Sequence, residues 1–112
     1  MNQFLQQLKT TPENISFEST MAVIDKHYNF SPCEFSNGDL INAENQNNGS
    51  CKIFSFALLH NLTEQQTLHC FGDYYREDVL QNPLETDHQN IRHFIQSGWT
   101  GIKMNTNPLT SK

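Results

Sequence analysis

Positive charge is scarce in this chain. Over 112 residues, seven Lys and Arg stand against twelve Asp and Glu, giving a net charge of -5 and a pI near 5.4. The seven are scattered, so no basic stripe exists to neutralise a phosphate backbone, and nucleic acid is excluded as a class of partner. Cysteine is equally sparse. Cys33, Cys51 and Cys70 make an odd number with no C-x-x-C pair, which argues against a secreted disulfide framework and for a reducing compartment. No apolar run approaches the roughly 20 residues of a membrane span. The opening MNQFLQQLKTTPEN has neither a charged start nor a continuous apolar stretch, so no cleavable signal is expected and the bacterial cytoplasm is the expected site of synthesis.

Chemistry-bearing motifs are also missing. There is no Gly-rich phosphate cradle, no G-x-S-x-G and no paired-carboxylate signature. Among His27, His60, His69, His88 and His93, no two share a helical face in the way a two-ligand metal site requires. Asp87 next to His88 has a structural role available at a helix start. The expectation is no metal, no cofactor and no membrane partner. An amide-rich surface without an obvious apolar patch implies a monomer.

What is present is one domain's worth of chain, long enough for a single modest core. Only 17% of residues are charged, so much of its polarity comes from Asn and Gln, which suit caps and loops. The stretch Gly49 to Leu62 is its most apolar, and Ile53, Phe54, Phe56, Ala57, Leu58 and Leu59 leave almost no polar face on a helix. This predicts a central helix buried on most sides. Asn47, Asn48, Gly49 and Ser50 precede it as breaker and cap residues, and Asn61 supplies a left-handed stop.

Around that helix the pattern predicts four or five others. Phe4, Leu5 and Leu8 mark a short helix ending before Pro12, and Phe17, Met21, Ile24 and Tyr28 mark a second. Cys33 to Asn42 reads as a hairpin turning at Ser36-Asn37-Gly38. Thr63 to Gln66 is a capping box opening a helix with Leu68, Phe71 and Tyr75 on one face, and Gly72 is a bend or close-approach point. That helix resumes at Asp73 and runs to Asn82-Pro83. Thr86 to Gln89 reads as a second capping box before a helix with Ile91, Phe94 and Ile95 inward and Gly98 as its stop. Trp99 to Met104 reads as a strand free to join the hairpin, and the tail from Asn105 is expected to fray. The class is α+β, with an all-α bundle as the alternative.

Cys51 is the residue most suggestive of chemistry. A thiol at a helix N-terminus is pushed towards thiolate by the helix dipole and free amides. GSCKIFSFA is also similar to the G-S-C-W-A-F-S nucleophile segment of papain-like proteases, with His88 and Asn90 as base and orienter. Against this, such enzymes are much longer, Lys52 stands where they have an aromatic, and the His-to-Asn spacing is too short. The competing reading is a small buried cysteine sharing a stripe with Phe54 and Leu58. Asp73, Tyr74, Tyr75 and Arg76, with Glu77 and Asp78, form a charged and aromatic cluster on one helix. Such a cluster is either a solvated face or a rim for a peptide or ligand, joined in that role by the Asn45–Ser50 loop and Trp99.

Taken together, TMAVIDKHYNFSP, the Asn-Gly hairpin, QNNGSCKIFSFALLHNLT, CFGDYYREDVLQNP, TDHQNIRHFIQSGWTGI and the terminal LTSK resemble the HopJ type III effector family over nearly the whole chain. The resemblance implies a small bacterial protein related to effectors delivered by the type III apparatus of plant-pathogenic pseudomonads. It brings no catalytic residues to carry over. Two functions follow: a binding module for a protein or peptide partner, or a thiol-dependent hydrolase or acyltransferase using Cys51 and His88. The enzyme requires the Cys51 sulfur at a solvent-reachable surface within hydrogen-bond reach of an imidazole.

Overall fold

The computed structural model describes residues 1–112. In chain order it contains α1 (Asn2–Thr10), a 3-10 turn (Pro12–Asn14), α2 (Phe17–His27), β1 (Tyr28–Phe30), β2 (Phe35–Asn37) and β3 (Leu40–Asn42). These are followed by α3 (Asn48–Leu59), α4 (Glu64–His69), a π-helical segment (Tyr74–Val79), α5 (Gln89–Ser97), a second 3-10 turn (Gly98–Gly101), β4 (Ile102–Met104) and β5 (Leu109–Ser111). The class is α+β, as the sequence predicts.

Helix α3 is the hub. Its Cys51, Ile53, Phe54, Ser55, Phe56 and Ala57 are all buried. Phe54 alone meets four rings: Phe94 at 5.0 Å between centroids, Phe71 at 5.7 Å, Phe35 at 6.1 Å and Trp99 at 6.4 Å. Phe56 faces the other side, against Phe4, Tyr28 and His60. One correction concerns its last turn. Leu58 and Leu59 are exposed, because the helix runs on past the core there and they edge a surface groove with Met104 and Pro108. Asn61, at φ 53°, is the left-handed stop expected of it.

The β-structure is two small antiparallel units. One pairs β3, β2 and β4 in that order, with Phe35 opposite Asn42 and Met104. The hairpin turn is one residue later than expected. Asn37 is a strand residue opposite Leu40, leaving Gly38 and Asp39 as the turn. The reason lies inside: the Asn37 amide donates to the Asn90 backbone carbonyl at 2.7 Å, which holds that residue in the strand and in the interior. Trp99 to Gly101 form a 3-10 turn, so only Ile102–Met104 joins the sheet.

The second unit corrects the expectation of a frayed tail. β5 pairs with β1 in the register Tyr28 to Ser111 and Phe30 to Leu109. Leu109 is fully buried, and the tail amide of Lys112 donates to the His27 carbonyl. A single large aliphatic residue in a polar tail is enough to anchor it.

At the helix ends, Thr63 and Gln66 form the expected capping box. A reciprocal box of Ser16 and Ser19 opens α2, without the usual Glu or Gln at the third position. Thr86 does not cap α5. His88 heads that helix in a left-handed conformation (φ 50°), and Gln89 folds back to the Thr86 carbonyl. Ile95 consequently faces solvent, while Ile91 and Phe94 face the core. Gly72 is the close-approach point foreseen. A Cβ there would sit 2.6 Å from the Phe17 nitrogen, and its φ of +62° suits glycine alone.

Removal of residues 108–112 should cost about 2–4 kcal/mol of stability, from the lost burial of Leu109 and the lost strand bonds. Denaturant unfolding of the truncated chain checks this; an unchanged midpoint would show that the tail is dispensable.

Candidate functional site

The largest concavity, of about 560 Å³, lies where the starts of three helices and the π-helical segment converge. Phe17 comes from the start of α2. Asn47, Gly49 and Ser50 come from the start of α3, and His88, Gln89, Asn90 and Ile91 from the start of α5. Tyr74, at the head of the π-helical segment, completes its aromatic wall. The Tyr74 ring meets Phe17 at 5.1 Å and lies at 31° to the His88 ring at 4.9 Å. Tyr74 is 40% exposed, and neither Lys nor Arg lines the cleft.

Helix geometry gives the opposite wall its character. Asn47 and His88, both left-handed, head α3 and α5 without a side-chain cap. The first amides of a helix have no intrahelical acceptor. Accordingly the N–H groups of Gly49, Ser50, Gln89 and Asn90 donate to no other group of the chain and stand at the cleft.

A network of buried amides holds these starts in place. Asn90 and Asn42 exchange hydrogen bonds through their side chains, at 3.1 and 3.0 Å. Asn37 donates to the same Asn90 oxygen, and Asn47 donates to Asn42 Oδ1 at 2.7 Å. Hairpin, α3 start and α5 start are thereby locked together by four asparagines. One acceptor, Asn37 Oδ1, is buried without a partner. Sequence reading could count the asparagines, but nothing in their spacing says that these four meet.

The residues of the thiol reading are not assembled. Cys51 is 1% exposed, does not line the cleft, and sits beside Cys33. Burial, reinforced by Cys33, pushes its thiol up to about 11, the opposite of what a helix-start nucleophile needs. The residue lies one turn into α3 on the core side, so hydrocarbon and not the free amides decides its acidity. Cys70 is buried too, and burial pushes it to about 12. Asn90 belongs to the amide network. His88 is in the cleft wall, its Nε2 2.9 Å from Asp78 Oδ2 and 3.8 Å from Asp87 Oδ2.

That Asp78–Asp87–His88 group, its donor atoms within 4.8 Å of one another, spans a sequence gap no spacing rule would bridge. Its charges already have protein partners. Arg92 holds Asp87 at 2.6 Å and, through that bond, keeps its carboxyl below the usual range.

The expected rim divides. Asp73 and Tyr74 are exposed. Tyr75 is buried and its hydroxyl accepts from Gln65. Arg76 is turned inward as a strut to the carbonyls of Ile15 and Pro12 and to His69, whose acidity is raised by burial and by that guanidinium. Trp99 packs edge-on against Phe94 and Phe54, away from the cleft. Phe17 and the free helix-start amides are functional candidates that the sequence did not single out.

The fold and cleft define a small α+β domain with one prominent concave surface and its thiols in the interior. A family model described as HopJ type III effector protein matches residues 1–109, and the chain belongs to that family. It is 54% identical to the protein of a crystal structure described as the unknown-function protein VPA0580, with a TM-score of 0.99 over 100% of this chain and 93% of that one. No curated protein matches. No helix is long and apolar enough to cross a membrane.

Folded thiols raised above 9.0 bind protons more tightly than unfolded ones. Their contribution to stability is therefore complete below pH 9 and is lost as pH climbs towards 11 and 12. At pH 8, iodoacetamide followed by peptide mapping should label Cys51 and Cys70 only at the rate of global unfolding. Rapid labelling of Cys51 in the intact fold would contradict its burial.

Proposed function

We propose that this HopJ-family chain is a binding module without chemistry of its own. It seats a segment of a protein or peptide partner in the cleft between the starts of α2, α3 and α5. The family supports production in the bacterial cytoplasm followed by export through a type III apparatus, with the monomer as the working unit. The observation that carries the reading is Tyr74, held half-open to solvent between Phe17 and His88. A rigid aromatic in a concave wall supplies contact area at small entropic cost, and Tyr is a favoured anchor of binding energy. Unsatisfied amides opposite it offer donors that an extended backbone accepts. The thiol-enzyme alternative draws no support from a sulfur that solvent does not reach.

Peptides selected from a displayed library on the immobilised protein should shift the NMR signals of Phe17, Tyr74 and His88. Tyr74→Ala should weaken the best of them at least about tenfold, the loss of one anchor residue, with the melting temperature little changed. Binders that map elsewhere, or an acyl-transfer activity abolished by Cys51→Ser, would overturn the proposal.

A further inference from the structure

The aromatic end of the cleft carries more negative charge than its surroundings answer. Glu18 and Asp73 flank Phe17 and Tyr74 in a shallow depression of about 90 Å³ that shares those two rings with the cleft. Asp78 and Asp87 stand on the far side of the same wall, against His88. Four carboxylates thus border Phe17, Tyr74 and His88. Of the two guanidiniums nearby, Arg92 is committed to Asp87, and Arg76 is drawn towards Pro12 and Ile15, reaching Asp73 only at 3.7 Å. Glu18 has no ion pair.

We infer, building on the binding reading above, that the cleft recognises an arginine side chain presented by an extended, basic segment of the partner. The chemistry is specific. A planar guanidinium stacks on an aromatic face, and its N–H fork meets carboxylates at the ring's edge, which here are those of Glu18 and Asp73. Lysine shares the charge but not the plane, and ranks second. The two helix starts at the other end carry partial positive charge, so they repel the cation and favour backbone carbonyls of the segment. That polarity fixes one direction of binding: side chain on the Tyr74 wall, main chain on the amides of Gly49, Ser50, Gln89 and Asn90. The chain's overall net charge of -5 draws the same class of partner from a distance.

The test is an NMR titration of isotope-labelled protein with three blocked peptides, acetyl-Gly-Gly-X-Gly-Gly-amide, in which X is Arg, Gln or Glu. The arginine peptide should shift Phe17, Tyr74 and His88 and bind about fivefold tighter than the glutamine peptide. The double variant Glu18→Gln with Asp73→Asn should erase that preference without unfolding the chain. Equal affinity for the arginine and glutamine peptides, or preference for glutamate, would overturn the arginine assignment while leaving the cleft a binding site. No shift of the wall with any of the three overturns it as well, and the library selection then shows whether the cleft reading falls with it.

Discussion

Everything in this fold is arranged about one ring. Phe54 enters a box of Phe35, Phe71, Phe94 and Trp99, which come from four different parts of the chain. Aromatic pairs at 5–6 Å contribute orientation as well as area. Seating Phe54 fixes the rotation of α3, and that rotation has a chemical consequence. It turns Cys51, three residues earlier, into the core beside Cys33, while Gly49 and Ser50, a few residues nearer the helix start, surface at the cleft. The packing that stabilises the domain thereby removes the sulfur from chemistry and presents backbone amides in its place.

The cleft is built as much by polar contacts as by hydrocarbon. Four asparagines from three segments close on each other and set the starts of α3 and α5 side by side. Buried amides of this kind are costly when unpaired and specific when paired. They fix which segments meet, and the left-handed residues Asn47 and His88 then begin the two helices at the cleft. The high Asn content thus has a use beyond surface polarity. Family membership and the near-identical fold of VPA0580 show that this framework is shared, and neither carries an activity with it.

Much of this was legible in the residues. The central helix, the Thr63 box, the Asn61 stop and the Gly72 approach follow from local rules, since each depends on neighbours within a few positions. What was not legible depends on distant partners. The turn shifted because Asn37 is captured by Asn90, and the tail is ordered because Leu109 finds a place in the core. Arg76 looked like a rim charge until Pro12 and Ile15 claimed it. The same holds at the site. Tyr74 and His88 could be named singly, but their stacking with Phe17 and the meeting of Asp78, Asp87 and His88 are products of tertiary structure.

Native-state hydrogen exchange probes the hub most directly. If the Phe54 box carries the fold, the mid-α3 amides from Phe54 to Ala57 exchange only through global unfolding, with the same denaturant dependence as the whole chain. Exchange of those amides through a smaller local opening, while α5 and the β2 strand stay protected, would contradict the central place given to this helix.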